Sequence, residues 1–184
     1  MTRTERIARD KTHAVRSFFF VQKGKCLPFR LGLKKIESGV YEGVRAFTST
    51  DMKVLKEGED VFIYGYVNTK NVADAYGDIP TNYLGRPVYD LSRYGKNSIL
   101  LINHWNSTSA ALGVAVEMFE DDIGLFMKFK LIVNPGNEDV THAKNALIEN
   151  ILKAFSIGGR WYFEDEENIN HLTRAFIHEV SVVA

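Results

Sequence analysis

The feature that most constrains the fold is a succession of short runs with the residue content of β-strands. These runs are rich in Val, Ile, Phe and Tyr, and Gly, Lys, Asp or Asn bounds them, as is typical of strands between turns. The clearest runs are Ser17–Gln22, Val40–Phe47, Val61–Asn68, Ser98–His104, Gly113–Phe119, Gly124–Val133 and Thr173–Val183. Because the runs are short and numerous, they predict a mainly β fold, built as a compact antiparallel barrel or sandwich.

One stretch has the pattern of a helix. Between Asp139 and Ala154, apolar residues recur at approximately 3.6-residue spacing, and good helix formers fill much of the remainder. We expect this helix to run into Ser156 and then to leave through Gly158 and Gly159 into the next strand. The sequence therefore predicts one or two helices beside the sheet.

Composition limits the class of protein. Hydrophobic residues make up 45% of the 184 residues and charged residues 25%, which is the balance of a globular domain with a real core. No apolar run approaches the roughly 20 residues of a membrane-spanning helix, and the charged start lacks the apolar segment of a secretory signal. Cys26 is the only cysteine, so an internal disulfide is excluded, and no Cys/His cluster has zinc-ligand spacing.

The net charge of zero hides two oppositely charged parts. Residues 1–56 carry 13 Lys/Arg and 5 Asp/Glu, a net +8, whereas residues 57–184 carry 10 and 18, a net −8. We divide the chain accordingly into a basic N-terminal extension, 1–56, and a main domain, 57–184, and we expect residues 1–16 to be mobile. The extension is either a solvated arm or an arm that docks on an acidic partner or on nucleic acid. A nucleic-acid-binding barrel is a weaker hypothesis, because the main domain is acidic.

Few side chains are candidates for nucleophilic chemistry. Cys26 has no obvious base nearby, so we interpret it as a structural thiol. Ser156 is more promising, because the backbone N–H groups of Gly158 and Gly159 could face a developing oxyanion. Spacing alone nevertheless favours a simple helix cap and turn at these glycines.

A serine nucleophile also needs a base, and a third group that orients the base. The chain has five histidines: His13, His104, His142, His171 and His178. Taken alone, each is more often structural than catalytic. His104 ends an apolar strand and opens a polar segment, and the rigid end of a strand is a good place to fix an imidazole.

Three stretches together carry a more specific pattern. In Ile99–Gly113 an apolar strand runs into a polar residue and His, followed by a polar loop to Gly. Leu152–Gly159 runs into Ser-Ile-Gly, and Ile177–Val183 contains an acidic residue followed by Val-Ser-Val-Val. In this order and spacing the chain resembles the prohead (capsid maturation) proteases of tailed bacteriophages, which are related to the assemblin-type proteases of herpesviruses. Further similar stretches are Tyr64–Asn68, Tyr76–Asp78 and Asp121–Leu125, so that the resemblance covers residues 61–184.

The resemblance implies a fold and a set of roles. The fold is mainly β with flanking helices, a small closed or partly open antiparallel β-barrel of the herpesvirus and phage maturation-protease type. Ser156 would be the nucleophile of a serine endopeptidase, His104 its base and Glu179 the group that orients His104. His178 is the rival for the third role, since the herpesvirus enzymes use a histidine there. Neighbouring strand residues face opposite sides of a sheet, so only one of the two can reach His104.

The resemblance also implies partners. The substrates would be the scaffold, the scaffold-like arm of the major capsid protein and the protease itself, cleaved inside the prohead in the host cytoplasm. Neither a metal nor an organic cofactor is expected, and homo-oligomerisation is left open. The alternative is a non-enzymatic module that binds capsid or scaffold and retains the protease fold. Chains of the family continue beyond the third motif, so we interpret Ala184 as either a truncation or a self-cleavage site.

Overall fold

A computed structural model describes residues 19–22, 25–28, 33–48, 52–74, 77–163 and 171–184. In these ranges the chain forms thirteen strands, one α-helix and two short 3-10 turns. The strands are β1 (Phe19–Gln22), β2 (Lys25–Pro28), β3 (Leu33–Glu37), β4 (Val40–Thr48), β5 (Lys53–Glu57), β6 (Asp60–Thr69), β7 (Ile79–Pro80), β8 (Tyr89–Asp90), β9 (Ile99–Ile102), β10 (Ala111–Glu120), β11 (Gly124–Leu131), β12 (Ala154–Phe163) and β13 (His171–Val183). The helix is α1 (Glu138–Ile148), and the 3-10 turns are Tyr94–Lys96 and Thr108–Ala110.

Most strands belong to one large sheet. Its order is β3-β4-β12-β13-β9-β10-β11-β6-β5, with β7 and β8 alongside β13, while β1 and β2 pair only with each other. The prediction of a mainly β fold is confirmed. The prediction of a wholly antiparallel sheet is wrong, because β13 runs parallel to β7, β8 and β9. Of the two predicted forms, closed or partly open, the closed barrel is wrong, since the path of paired strands is open from β3 to β5. Strands β9 and β13 can be parallel because three further strands and α1 intervene between them and return the chain to the same edge.

The large sheet includes strands from the N-terminal part of the chain. β4 lies between β3 and β12, and β5 pairs with β6. The sheet therefore crosses the boundary that the charge distribution suggested between residues 56 and 57. The expected mobile lead, residues 1–16, lies outside the described residues.

The core lies on one face of the large sheet, where side chains from strands that are not neighbours in the sheet pack against each other. Phe129 of β11 packs against Phe155 of β12 with 5.7 Å between ring centroids, and both are fully buried. Val140 and Leu147 of α1 are also buried, and the helix packs against β10. Each such apolar side chain contributes about 1.5–3 kcal/mol relative to an exposed position.

The predicted helix is present but ends early. It was expected to extend to Ala154, whereas α1 ends at Ile148. Asn150 adopts a left-handed conformation, with a φ of 60°, and the Ile151 N–H donates to the Ala146 carbonyl at 2.8 Å. This is the hydrogen-bond pattern of a Schellman motif, in which Asn is the commonest substitute for Gly at the left-handed position. The α-helix spans 11 residues, and no helix in the described ranges is long and apolar enough to cross a membrane.

Candidate active site

The site forms where β12 and β13 pair. Ser156 lies in β12, directly opposite Ser181 of β13. Its neighbours Phe155 and Ile157 point into the core and are fully buried, so strand alternation turns Ser156 to the other face of the sheet. Ser156 is nevertheless only 1% exposed. The predicted position at the junction between a helix and a turn is wrong, because Ser156 lies within the strand.

A β-bulge in β13 decides which side chain faces Ser156. Gly158 pairs with Glu179, but Gly159 pairs with Ile177, so His178 is an extra residue without a counterpart on β12. A bulge of this kind shifts the alternation of side chains between the two faces by one position.

The burial pattern shows the shift. Ile177 and Val180 are three positions apart, yet both are fully buried in the core. In a regular strand, Glu179 would share the core face with Ile177. The bulge instead places Glu179 on the face that carries Ser156.

The two glycines make this arrangement possible. A Cβ at Gly159 would lie 2.4 Å from the Phe176 carbonyl oxygen, and a Cβ at Gly158 would lie 3.2 Å from Glu179 Oε2. The glycines are therefore needed for close approach of β13 rather than for a turn. Because both lie inside β12, flanked by β4 and β13, the helix cap and turn that spacing alone favoured at these glycines are absent. The oxyanion role of their N–H groups stays a prediction.

His104 reaches the site through a tight turn after β9. Asn103 and His104 both have left-handed backbones, with φ of 48° and 58°, and the Trp105 N–H donates to the Ile102 carbonyl at 2.9 Å. Positive φ at both central residues is typical of a type I′ turn. Asn tolerates this conformation readily, but His adopts it less often. The turn carries the imidazole back over β13.

Three side chains then form a continuous hydrogen-bonded chain. His104 Nδ1 is 2.7 Å from Glu179 Oε1, and His104 Nε2 is 2.6 Å from Ser156 Oγ. An ionised carboxylate only accepts hydrogen bonds, so in the neutral imidazole Nδ1 carries the proton and Nε2 accepts from the serine hydroxyl. The structure thus brings together the three residues that the sequence motifs selected.

The electrostatics of the site keep the carboxylate charged. Burial acts to raise the pKa of Glu179, but hydrogen bonds from His104 and Ser181 outweigh it and lower the pKa below its usual value. Tyr94 lies nearby, and both its burial and the charge of Glu179 raise its pKa, so it stays a neutral donor to the Ile99 carbonyl. The side chains of His104 and Glu179 are each 22% exposed, so solvent reaches the site past the imidazole.

His178 is directed away from this chain of hydrogen bonds. Its ring packs edge-on against Phe176, with 5.0 Å between centroids, and its buried Nε2 has no hydrogen-bond partner among the residues that the structure describes. Burial, followed by the charges of Arg93 and Arg160, lowers the pKa of His178. Of the two rivals, Glu179 is the residue in contact with His104.

Other predicted candidates are elsewhere. His142 is exposed on α1 and His171 is exposed at the start of β13, while His13 lies outside the described residues. No group of three or more His, Cys, Asp or Glu residues in the described ranges is arranged to hold a metal ion.

Sequence reasoning did not single out Ser181. Its hydroxyl donates to Glu179 Oε1 at 2.6 Å and accepts from the His104 backbone N–H at 3.1 Å. The available signal was its position two residues after Glu179, which in a strand places both side chains on one face.

Comparisons with known proteins identify the fold. No family model matches the sequence, and no curated protein matches it. Among solved structures, the capsid assembly protease of bacteriophage T4, gp21, is similar with a TM-score of 0.57 and 10% sequence identity. The match covers 77% of this chain and 97% of the phage protein. The chain therefore shares, in coarse outline, the fold of a phage capsid assembly protease.

Proposed function

We propose that the chain is a serine endopeptidase in which Ser156 is the nucleophile, His104 the general base and Glu179 the orienting carboxylate. The observation that carries the proposal is the pair of short contacts that join the three side chains, 2.7 Å from Glu179 to His104 and 2.6 Å from His104 to Ser156. A serine hydroxyl becomes an effective nucleophile when a base accepts its proton and a third group fixes that base.

The geometry supports a two-step acyl transfer. Ser156 Oγ attacks the peptide carbonyl carbon while its proton passes to His104 Nε2. Glu179 stabilises the imidazolium that forms and keeps Nδ1 protonated. His104 then gives the proton to the leaving amine as the C–N bond breaks, which leaves an acyl-enzyme. Water then attacks the acyl carbon while its proton passes to His104 Nε2. The bond between this carbon and Ser156 Oγ breaks, the carboxylic acid product leaves, and the proton returns to Ser156 Oγ.

The biological role rests on the similarity in fold. The phage T4 neighbour is a capsid assembly protease, which supports a role for this chain in capsid maturation. We propose that its substrates are the scaffold, the scaffold-like arm of the major capsid protein and the chain itself, and that it acts inside the prohead in the host cytoplasm. Descent from a common ancestor with the herpesvirus enzymes stays a prediction.

One observation favours a second function. Ser156 is 1% exposed, which restricts the approach of a polypeptide substrate to its hydroxyl. A non-enzymatic module that binds capsid or scaffold needs no such approach. Reaction with a small sulfonyl fluoride separates the two functions: a modified Ser156, identified by peptide mass, supports the peptidase, and the binding module predicts no modification.

The direct test is co-expression of the chain with the major capsid protein of the same genome, followed by intact mass measurement of both. The parent should shorten the capsid protein, and Ser156→Ala should abolish shortening by lowering the rate by about 10⁴-fold or more. Ser98→Ala is a matched control, because it removes a serine hydroxyl that, within the described ranges, hydrogen-bonds the Ala115 carbonyl alone, at 3.4 Å. If the Ser156→Ala variant still cleaves at the same sites, Ser156 is not the nucleophile.

A further inference from the structure

We propose that Ser181 is a positioning residue of this site, whose hydroxyl ties the backbone of His104 to the carboxylate of Glu179. The inference rests on the proposed function and adds a fourth residue to it. Ser181 touches neither the substrate nor Ser156 Oγ in this proposal, and it acts only through its two neighbours.

Ser181 can make both contacts at once. Its Oγ–H donates to Glu179 Oε1 at 2.6 Å, and its oxygen lone pair accepts the His104 backbone N–H at 3.1 Å. A hydroxyl has one donor and two acceptor positions, so the two bonds do not compete. Ser181 is 0% exposed, so water does not replace either bond while the strand pairing is intact.

The hydrogen bond from the His104 backbone N–H to Ser181 Oγ stabilises a backbone conformation that is costly. His104 and Asn103 are consecutive non-glycine residues with positive φ, 58° and 48°. Such conformations persist only where surrounding contacts impose them. Two bonds from β13 do so here: the Val182 carbonyl accepts the Asn103 N–H at 2.9 Å, and Ser181 Oγ accepts the next N–H along the chain.

The hydrogen bond from Ser181 Oγ to Glu179 Oε1 fixes the position of the carboxylate. Glu179 Oε1 accepts hydrogen bonds from both His104 Nδ1 and Ser181 Oγ, at 2.7 and 2.6 Å. With Ser181 in place, the carboxylate oxygen that orients the imidazole has one preferred position. Ser181 also lies directly opposite Ser156 in the strand register, so a single side chain links the base and its orienting group beside the nucleophile.

The bonds of Ser181 distinguish it from a second nucleophile. Its proton is directed to a carboxylate that His104 also uses, and its oxygen lies against a backbone N–H. A nucleophilic serine needs the opposite arrangement, with its proton on the imidazole Nε2, which is where Ser156 Oγ lies at 2.6 Å.

The test compares the full-length parent with Ser181→Ala, and with Ser98→Ala as the matched control. Cleavage of a peptide copied from a shortening site of the capsid protein gives kcat and KM separately. Ser181→Ala should lower kcat by between about 10- and 100-fold with little change in KM, because a small misplacement of a catalytic group can cost about 10²-fold. Ser98→Ala should match the parent in both constants.

A second readout does not depend on turnover. The pKa of the Glu179 carboxyl, followed by ¹³C NMR in labelled protein, should rise in Ser181→Ala because a hydrogen bond that lowers it is lost. The other polar groups that act on this carboxyl are His104, by direct contact, and Tyr94, which lies close to its charge. Ser181→Thr retains a hydroxyl and should restore both the pKa and most of kcat.

The outcomes separate the two proposals. A parent that neither cleaves the peptide nor reacts with a sulfonyl fluoride overturns the proposed peptidase and, with it, the positioning role of Ser181. An active parent whose kcat and Glu179 pKa are both unchanged in Ser181→Ala overturns the inference alone. A loss of kcat in which the Glu179 pKa stays at the parent value also overturns it, because the hydroxyl would then act by another route.

Discussion

Two regions of the same sheet present their outer faces in opposite ways. At the candidate site on β12 and β13, the outer face carries two serines that are almost fully buried, Ser156 at 1% and Ser181 at 0% exposure. Over β6, β10 and β11, it carries aromatic rings that are partly exposed. Phe119 and Phe126 stack there with 4.8 Å between centroids, and Tyr66 lies edge-on to Phe126 at 5.6 Å.

The difference lies in how the contacts depend on one another. Each aromatic pair adds about 0.5–1.5 kcal/mol beyond the burial of its area, and the loss of one ring leaves no charged or hydrogen-bonding group unpaired. The polar residues form a network in which Glu179 Oε1 is shared by two donors, so that removal of one member leaves another unpaired. We therefore expect substitutions over β12 and β13 to act mainly on rate, and substitutions over β6, β10 and β11 to act mainly on stability.

The largest effect is expected from His104→Ala. Removal of the base should lower kcat/KM by about 10⁴-fold, as loss of a triad member does elsewhere. In the parent, kcat/KM should rise with pH through one ionisation, because a histidine acts as a base only when neutral. The measurement is kcat/KM on a peptide substrate between roughly pH 5 and 8. A flat parent profile over that range would count against any histidine base.

A smaller loss is expected from Glu179→Gln. The amide keeps the shape but can donate to His104 Nδ1, which favours the wrong tautomer and should cost between about 10²- and 10⁴-fold in kcat. His178→Gln is the matched comparison, since His178 is the extra residue of the bulge and packs against Phe176. It should change kcat by less than about threefold. If His178→Gln lowered kcat more than Glu179→Gln does, His178 would be the group that orients His104.

The bulge itself is tested by Gly159→Ala. The added Cβ would lie 2.4 Å from the Phe176 carbonyl, so β13 must shift and overpacking should cost about 1–3 kcal/mol of unfolding free energy. Because the bulge places Glu179 beside His104, kcat should fall along with stability. Chemical denaturation and peptide cleavage measure the two effects. A destabilised variant with the parent kcat would show that Glu179 holds its position without this register.

The smallest effect on rate is expected from the aromatic face. Phe119→Leu removes the stacked partner of Phe126 and should lower the free energy of unfolding by about 0.5–1.5 kcal/mol. Phe119 is 40% exposed and lies outside the hydrogen-bonded network, so kcat/KM should stay within about twofold of the parent. A large loss of activity in a folded Phe119→Leu variant would contradict the expectation that substitutions over β6, β10 and β11 act mainly on stability.

The sequence by itself located most strands and selected the residues of the site. Strand periodicity and residue type predicted the strands β10 and β11, and the three motifs singled out His104, Ser156 and Glu179. These features are local, because an apolar run or a motif depends on residues that are close along the chain. The catalytic roles of the three residues stay a prediction.

The end of the helix shows where local reasoning went wrong although a local signal was present. The residues up to Ala154 favour a helix by propensity, but Asn150 takes the left-handed conformation that ends α1 at Ile148. As a result β12 begins at Ala154, and Ser156 is held in a paired strand rather than at a turn. Propensity is a weak preference, and pairing of β12 with strands on both sides overrides it.

Only the tertiary structure shows which of Glu179 and His178 contacts His104. Regular alternation places Glu179 and His178 on opposite faces of β13 but does not determine which side chain points toward His104. The choice depends on the register of β13 against β12. The register changes at Gly158 and Gly159, about twenty residues earlier in the chain. Likewise, the parallel pairing of β9 with β13 brings Ser181 into contact with the backbone of His104, although the two residues are 77 positions apart in the sequence. Such long-range pairings are fixed by packing of the whole sheet, and no local pattern contains them.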